Sequence, residues 1–80
     1  MSGNHHQYHK AADLNALPRK LEELSHSHSR LVRLTVAAHR STRDDTLRYL
    51  LRNDKNSRVV QAAKKNLEER EEAIAKNPPT

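Results

Sequence analysis

Apolar positions recur along the chain at helical spacing, in clusters separated by short runs of small polar residues. Leu14, Leu17, Leu21 and Leu24 stand at offsets of 3, 7 and 10, which is one face of a helix. Pro18 falls inside that pattern. It lacks an N–H and clashes with the carbonyl four residues back, so a helix is expected from Pro18 to about Leu24, after a short helical turn over 11–17. The run Ser25-His26-Ser27-His28-Ser29 breaks the periodicity, because small polar side chains compete for backbone hydrogen bonds, and Ser29 is a good cap for a helix starting at Arg30. This second helix is expected over Arg30–His39, with Leu31, Val32, Thr35, Val36 and Ala38 on a broad apolar arc and Leu34 at its edge. An arc this wide suits a helix with neighbours on two sides.

Ser41-Thr42 stops that helix. Thr42 is expected to cap a third, with Asp44 and Asp45 at the positive end of its dipole. Leu47, Leu50 and Leu51 give this helix its apolar face, Tyr49 lies on a flank, and the turn-rich Asn53-Asp54-Lys55-Asn56 ends it. Ser57 is expected to cap a fourth helix carrying Val59, Val60, Ala63, Leu67 and Ile74 on its apolar side. The second half of this helix, Glu68-Glu69-Arg70-Glu71-Glu72, is charged on almost every side and reads as an exposed extension ending before Asn77, since Pro78 and Pro79 cannot continue it. The alternative for this acidic run is that it folds back over the basic middle until a partner competes.

The pattern therefore predicts a single all-α domain over 11–76, flanked by disordered tails at 1–10 and 77–80. His5 and His9 in the first tail would be i, i+4 neighbours on a helix, but no carboxylate or thiol nearby completes a metal site. A chain of 80 residues buries a modest core, and with no Phe or Trp and only Tyr8 and Tyr49 as aromatics, that core must be Leu, Val, Ala and one Ile. The absence of cysteine removes disulfides and thiolate metal sites and fits a cytoplasmic protein. No stretch approaches the ~18 consecutive apolar residues of a membrane span, and the N-terminus has no apolar run of a secretory signal.

Part of the pattern repeats. Ser29-Arg30-Leu31-Val32 returns as Ser57-Arg58-Val59-Val60 at 28 residues, while Leu24 and Leu51, Val32 and Val59, Val36 and Ala63, and His39 and Asn66 pair at 27. Helical units at such a period are the mark of an α-solenoid. Val32-Arg33, Val36-Ala37, His39-Arg40-Ser41-Thr42, Leu47 with Leu50, Asp54, Val59 and Asn66 resemble HEAT-like repeats of the variant leucine-rich-repeat type over about Leu24 to Leu67, with departures at Val60 and Lys64. The resemblance implies a curved helical binding surface and no catalytic residues. The architecture expected is thus a small helical stack of three to four helices, a HEAT-like solenoid fragment in preference to a simple bundle.

Charge sharpens the functional reading. The net charge is +5, yet between Ser25 and Lys65 ten cations stand against three carboxylates, so the basic character belongs to the repeated middle. A lone glycine excludes Gly-rich phosphate loops, and no HExxH or GxSxG motif occurs. Of six histidines, His39 alone is placed by a helix end, where a turn role suits it best. An enzyme is not expected, and no cofactor is implied. The expected function is a protein-interaction module, of the kind a small regulatory or inhibitory protein provides, acting through Arg33, Arg40, Arg43, Arg48, Arg52, Arg58, Lys64 and Lys65. Its partner is a protein, with a second copy of itself among the candidates. The alternative is nucleic-acid binding, in which the same cations neutralise phosphates; against it, aromatics for base stacking are nearly absent. Membrane binding is not expected, since no helix pairs an aromatic-rich apolar face with a lysine-rich one.

Overall fold

The computed structural model describes residues 16–76. The expectations for residues 1–15 and 77–80, including Leu14 and the histidines of the first tail, lie outside the described residues. Within them the chain forms four helices, α1 (Pro18–Leu24), α2 (Arg30–Ala38), α3 (Asp44–Asn53) and α4 (Ser57–Lys76), in a small helical bundle. α2 and α3 both pack on α4, and α1 packs on α2.

Two of the four helices start where a side chain accepts their free N–H groups, and the other two start without such a cap. Leu17 is extended and Pro18 opens α1, as its missing N–H allows. Leu17 itself is 70% exposed, so it leaves the stripe of Leu21 and Leu24 that the leucine spacing put it on. Ser29 Oγ accepts the Val32 N–H at 3.3 Å and caps α2 as expected. The next two caps differ from expectation. Thr42 is buried and does not cap α3: its hydroxyl donates to the Val36 carbonyl at 2.7 Å. It thereby adds a second donor to a carbonyl in the last turn of α2 that also accepts the His39 N–H, and leaves the start of α3 without a side-chain cap. Arg43 stands at the cap position without a side-chain bond, and Asp44 and Asp45 supply the favourable charge of the first turn. For α4 the capping side chain is Asn56, not Ser57, because Asn56 Oδ1 accepts the N–H groups of Arg58 at 3.0 Å and Val59 at 3.3 Å.

These caps decide between the two repeat offsets. Ser29 and Asn56 are 27 residues apart, and so are Val32 and Val59, and Val36 and Ala63, the last four of which are buried. The turn before each cap matches as well: Ser27 Oγ accepts the Ser29 N–H at 3.1 Å, and Asp54 Oδ1 accepts the Asn56 N–H at 2.9 Å. The SRLV and SRVV strings, 28 apart, are one residue out of this register.

The core is Leu21, Leu24, Val32, Val36, Ala37, Leu47, Leu50, Val59 and Ala63, with no aromatic among them. On α2 the buried line is Val32, Val36 and Ala37, so Ala38 and Leu31, expected inside, face outward. On α4, Val59 and Ala63 are buried, Val60 and Leu67 are half-buried, and Ile74 is 59% exposed despite its place on the apolar spacing. Residues 71–76 are all exposed. The helix outruns the elements that cover it, so its periodicity continues where no neighbour remains. It is one unbroken helix from Ser57 to Lys76, so the acidic run does not fold back on the basic segment that precedes it in α4.

Leu50→Ala is expected to lower stability by about 2–5 kcal/mol, since its side chain is fully enclosed. In urea unfolding the midpoint should fall with an unchanged slope. Ile74→Ala should move it by less than about 0.5 kcal/mol; a comparable loss would mean that the end of α4 is packed.

Candidate functional site

Two arginines serve the fold before any partner. Arg33 on α2 donates through Nε to Asp54 Oδ2 at 2.8 Å and through Nη1 to the Ser27 carbonyl at 2.8 Å. Ser27 and Asp54 are the residues that shape the turns before α2 and α4, so one guanidinium holds both turns. The Asp54 side chain is 3% exposed, which makes this a largely buried ion pair and not a surface one. Arg70 on α4 does the same at the other end. It donates to Asn66 Oδ1 at 3.0 Å, to Asp44 Oδ1 at 2.7 Å, and to the carbonyls of His39 and Arg40 at 3.3 and 3.1 Å. Asn66 Nδ2 also donates to the carbonyls of Ala37 and His39. The open C-terminus of α2 is thus closed from α4. His39 is a buried turn residue there, its Nδ1 accepting the Ser41 N–H at 3.0 Å.

Arg30, Arg40, Arg48, Arg52, Arg58, Lys64 and Lys65 are divided between the two sides of α4. Arg58 lines a groove of about 520 Å³ with Ser29, Arg30, Leu31 and Leu34, between α2 and the start of α4. Further along the same helix pair, Arg40 and Lys65 line a second groove of about 430 Å³ with Ala38, Ala62, Asn66 and Glu69. Together these form an α2–α4 face. Its floor is Leu31, 53% exposed, with the half-buried Leu34 and Ala62 and the exposed Ala38. Its rims carry Arg30, Arg40, Arg58 and Lys65, and one carboxylate, Glu69. On the opposite side, Arg48, Arg52 and Lys64 line an α3–α4 groove whose apolar residues are the half-buried Leu51 and Leu67. Here Glu68 and Glu71 sit among the cations, and Arg48 reaches Asp45 at 3.4 Å. Arg43 is exposed before α3 and lines neither groove.

A further concavity, about 290 Å³, opens between α1 and α3 around Ser25, His26, Tyr49, Asn53 and Lys55, with Arg33 and Asp54 at its base. Its polar groups are largely engaged with one another. Arg33 holds Asp54, Asn53 Nδ2 donates to the Tyr49 carbonyl, and the His26 ring meets Tyr49 edge-on at 4.8 Å. Among the described residues no group of three or more His, Asp or Glu is placed to hold a metal ion, and no helix is long and apolar enough to cross a membrane.

Sequence reasoning did not single out Arg30 or Arg70 as functional. Arg30 was legible in part, since it precedes the stripe Leu31, Leu34, Ala38 at offsets of 3 and 7. Arg70 was hidden by its four glutamate neighbours, and its contacts span 26 to 31 residues. Arg33→Ala should cost about 2 kcal/mol or more, because it strips the buried Asp54 carboxylate of its cation. Arg58→Ser and Lys65→Ser, both exposed, should each stay within about 0.5 kcal/mol of the parent. Urea midpoints measure all three, and an unmoved midpoint for Arg33→Ala would remove its structural role. No protein-family model, curated protein or solved structure matches the chain.

Proposed function

We propose that this protein is a non-catalytic interaction module whose α2–α4 face receives an acidic, amphipathic segment of a protein partner. The carrying observation is an apolar stripe, the exposed Leu31 and Ala38 with the half-buried Leu34 between them, bracketed by Arg30, Arg40, Arg58 and Lys65. A helix laid in such a groove buries its apolar side chains on the leucines and sets flanking carboxylates against the rims, which is the helix-in-groove mode of recognition. Apolar burial supplies affinity, and the charges supply orientation and on-rate. This role agrees with the binding surface implied by the HEAT-like resemblance, and a regulatory or inhibitory protein is one form that it takes.

Nucleic acid is the second reading, and two features weigh against it. Phosphates gain nothing from a leucine floor, and the cations are divided between two sides of α4 with carboxylates among them. Anisotropy titrations separate the readings. A labelled acidic amphipathic peptide should bind, and Leu31→Asp should weaken it at least about tenfold, the loss of one buried leucine contact. A random duplex should fail to bind in low salt. Micromolar duplex binding that falls steeply with salt, and is indifferent to Leu31→Asp, would overturn the proposal in favour of nucleic acid.

A further inference from the structure

The cleft between α1 and α3 has a second, smaller lobe. Its volume is about 180 Å³, and its lining is Glu22, Ser25 and His26 from the α1 side with Asp45, Thr46 and Tyr49 of α3. Ser25, His26 and Tyr49 also line the larger concavity at Arg33 and Lys55, so the two lobes are continuous. α1 packs on α2 and α3 packs on α4, so the two walls are held by different neighbours and a cleft is left between them.

The smaller lobe is rich in hydrogen-bond acceptors and poor in donors. Glu22 and Asp45 line it as exposed carboxylates, one from each helix. Among the described residues Glu22 makes no ion pair, and Asp45 reaches Arg48 at 3.4 Å in a solvated contact. The Ser25 hydroxyl donates to the Glu22 carbonyl, which leaves its Oγ with lone pairs to offer. Thr46 is 4% exposed, yet among the described residues its Oγ1 finds no hydrogen-bond partner. A buried hydroxyl is rarely left in that state. His26 and Tyr49 add two aromatic rings, which meet edge-on at 4.8 Å.

Such a lining repels an anion. It does not suit a metal ion either, since among the described residues no group of three or more His, Asp or Glu is placed to hold one. An ammonium or guanidinium matches it on every count. It carries donors and no acceptor, it meets carboxylates in charge-assisted hydrogen bonds, and it is attracted to aromatic ring faces. We infer that the smaller α1–α3 lobe binds an organic cation, an ammonium or guanidinium head held by Glu22, Asp45 and Thr46 against the ring of Tyr49. Arg33 and Lys55 repel the head from the larger lobe, so the ligand enters in one orientation. This site is separate from the α2–α4 face and does not depend on the reading of it.

Amide NMR titration of the full chain tests the inference. N-acetyl-arginine amide represents an arginine side chain of a partner, spermidine represents a free amine, and N-acetyl-citrulline amide is the uncharged control. One of the two cations should shift the amides of Ser25, His26, Thr46 and Tyr49 saturably, with a dissociation constant on the order of 1 mM that rises with added salt. The tighter of the two identifies the source of the head group. Glu22→Gln and Asp45→Asn, both at exposed positions, should together weaken binding at least about tenfold. Thr46→Val should weaken it about threefold or more without lowering the urea midpoint, because the hydroxyl removed has no partner in the fold. Shifts that do not saturate by about 50 mM for either cation would overturn the inference. So would an equal response to the citrulline control, or binding indifferent to the carboxylate pair or to Thr46→Val.

Discussion

The guanidinium of Arg33 holds together what the hydrophobic core cannot place. Burial of Leu21, Leu47, Leu50, Val32, Val36 and Val59 drives the helices together, at about 1.5–3 kcal/mol for each large side chain. That force has no direction, and a core of aliphatic side chains tolerates small rotations of one helix past another. Arg33 removes the freedom. Its bonds to Asp54 and to the Ser27 carbonyl join the turn before α2 to the turn before α4, so both helices start from one point. Arg70 and Asn66 close the other end of α2 in the same way. These bonds add less free energy than the core, but their geometry decides which side of each helix is inward.

α4 is the common support, since α2 and α3 both lie against it. Val59 and Ala63 present little bulk to their neighbours, and Ala37 does the same from α2. A core without aromatic rings is thin, and it covers only part of the apolar surface that the chain carries. Leu31 and Ala38 are left outside, with the half-buried Leu34 beside them. The surface with the strongest binding character is thus a consequence of core economy: one line of α2 meets α1 and α4, and the neighbouring line meets solvent between arginines.

The charges follow a comparable division of labour. Arg33 and Arg70 make ion pairs that span the tertiary structure, with Asp54 and Asp44. Arg58, Lys64 and Lys65 are exposed and border open grooves.

Much of the fold was written in the residues themselves. Apolar spacing placed four helices with starts and ends within a residue or two, because a 3.6-residue period and the caps at Pro18 and Ser29 are local properties. The basic middle was equally legible, being composition. What the chain could not declare locally was every choice between two equivalent neighbours. Thr42 had free N–H groups of α3 on one side and the last carbonyls of α2 on the other, and only the packed end of α2 drew its hydroxyl to Val36. Leu31 and Ala38 were expected on the apolar arc and Ala37 was not, and the packed neighbours of α2 reversed that choice by burying Ala37. Among eight similar cations, Arg33 became structural because Asp54, 21 residues away, folds back to meet it. Periodicity along one helix is set by the backbone; which line of it faces inward depends on partners that only the tertiary structure brings near.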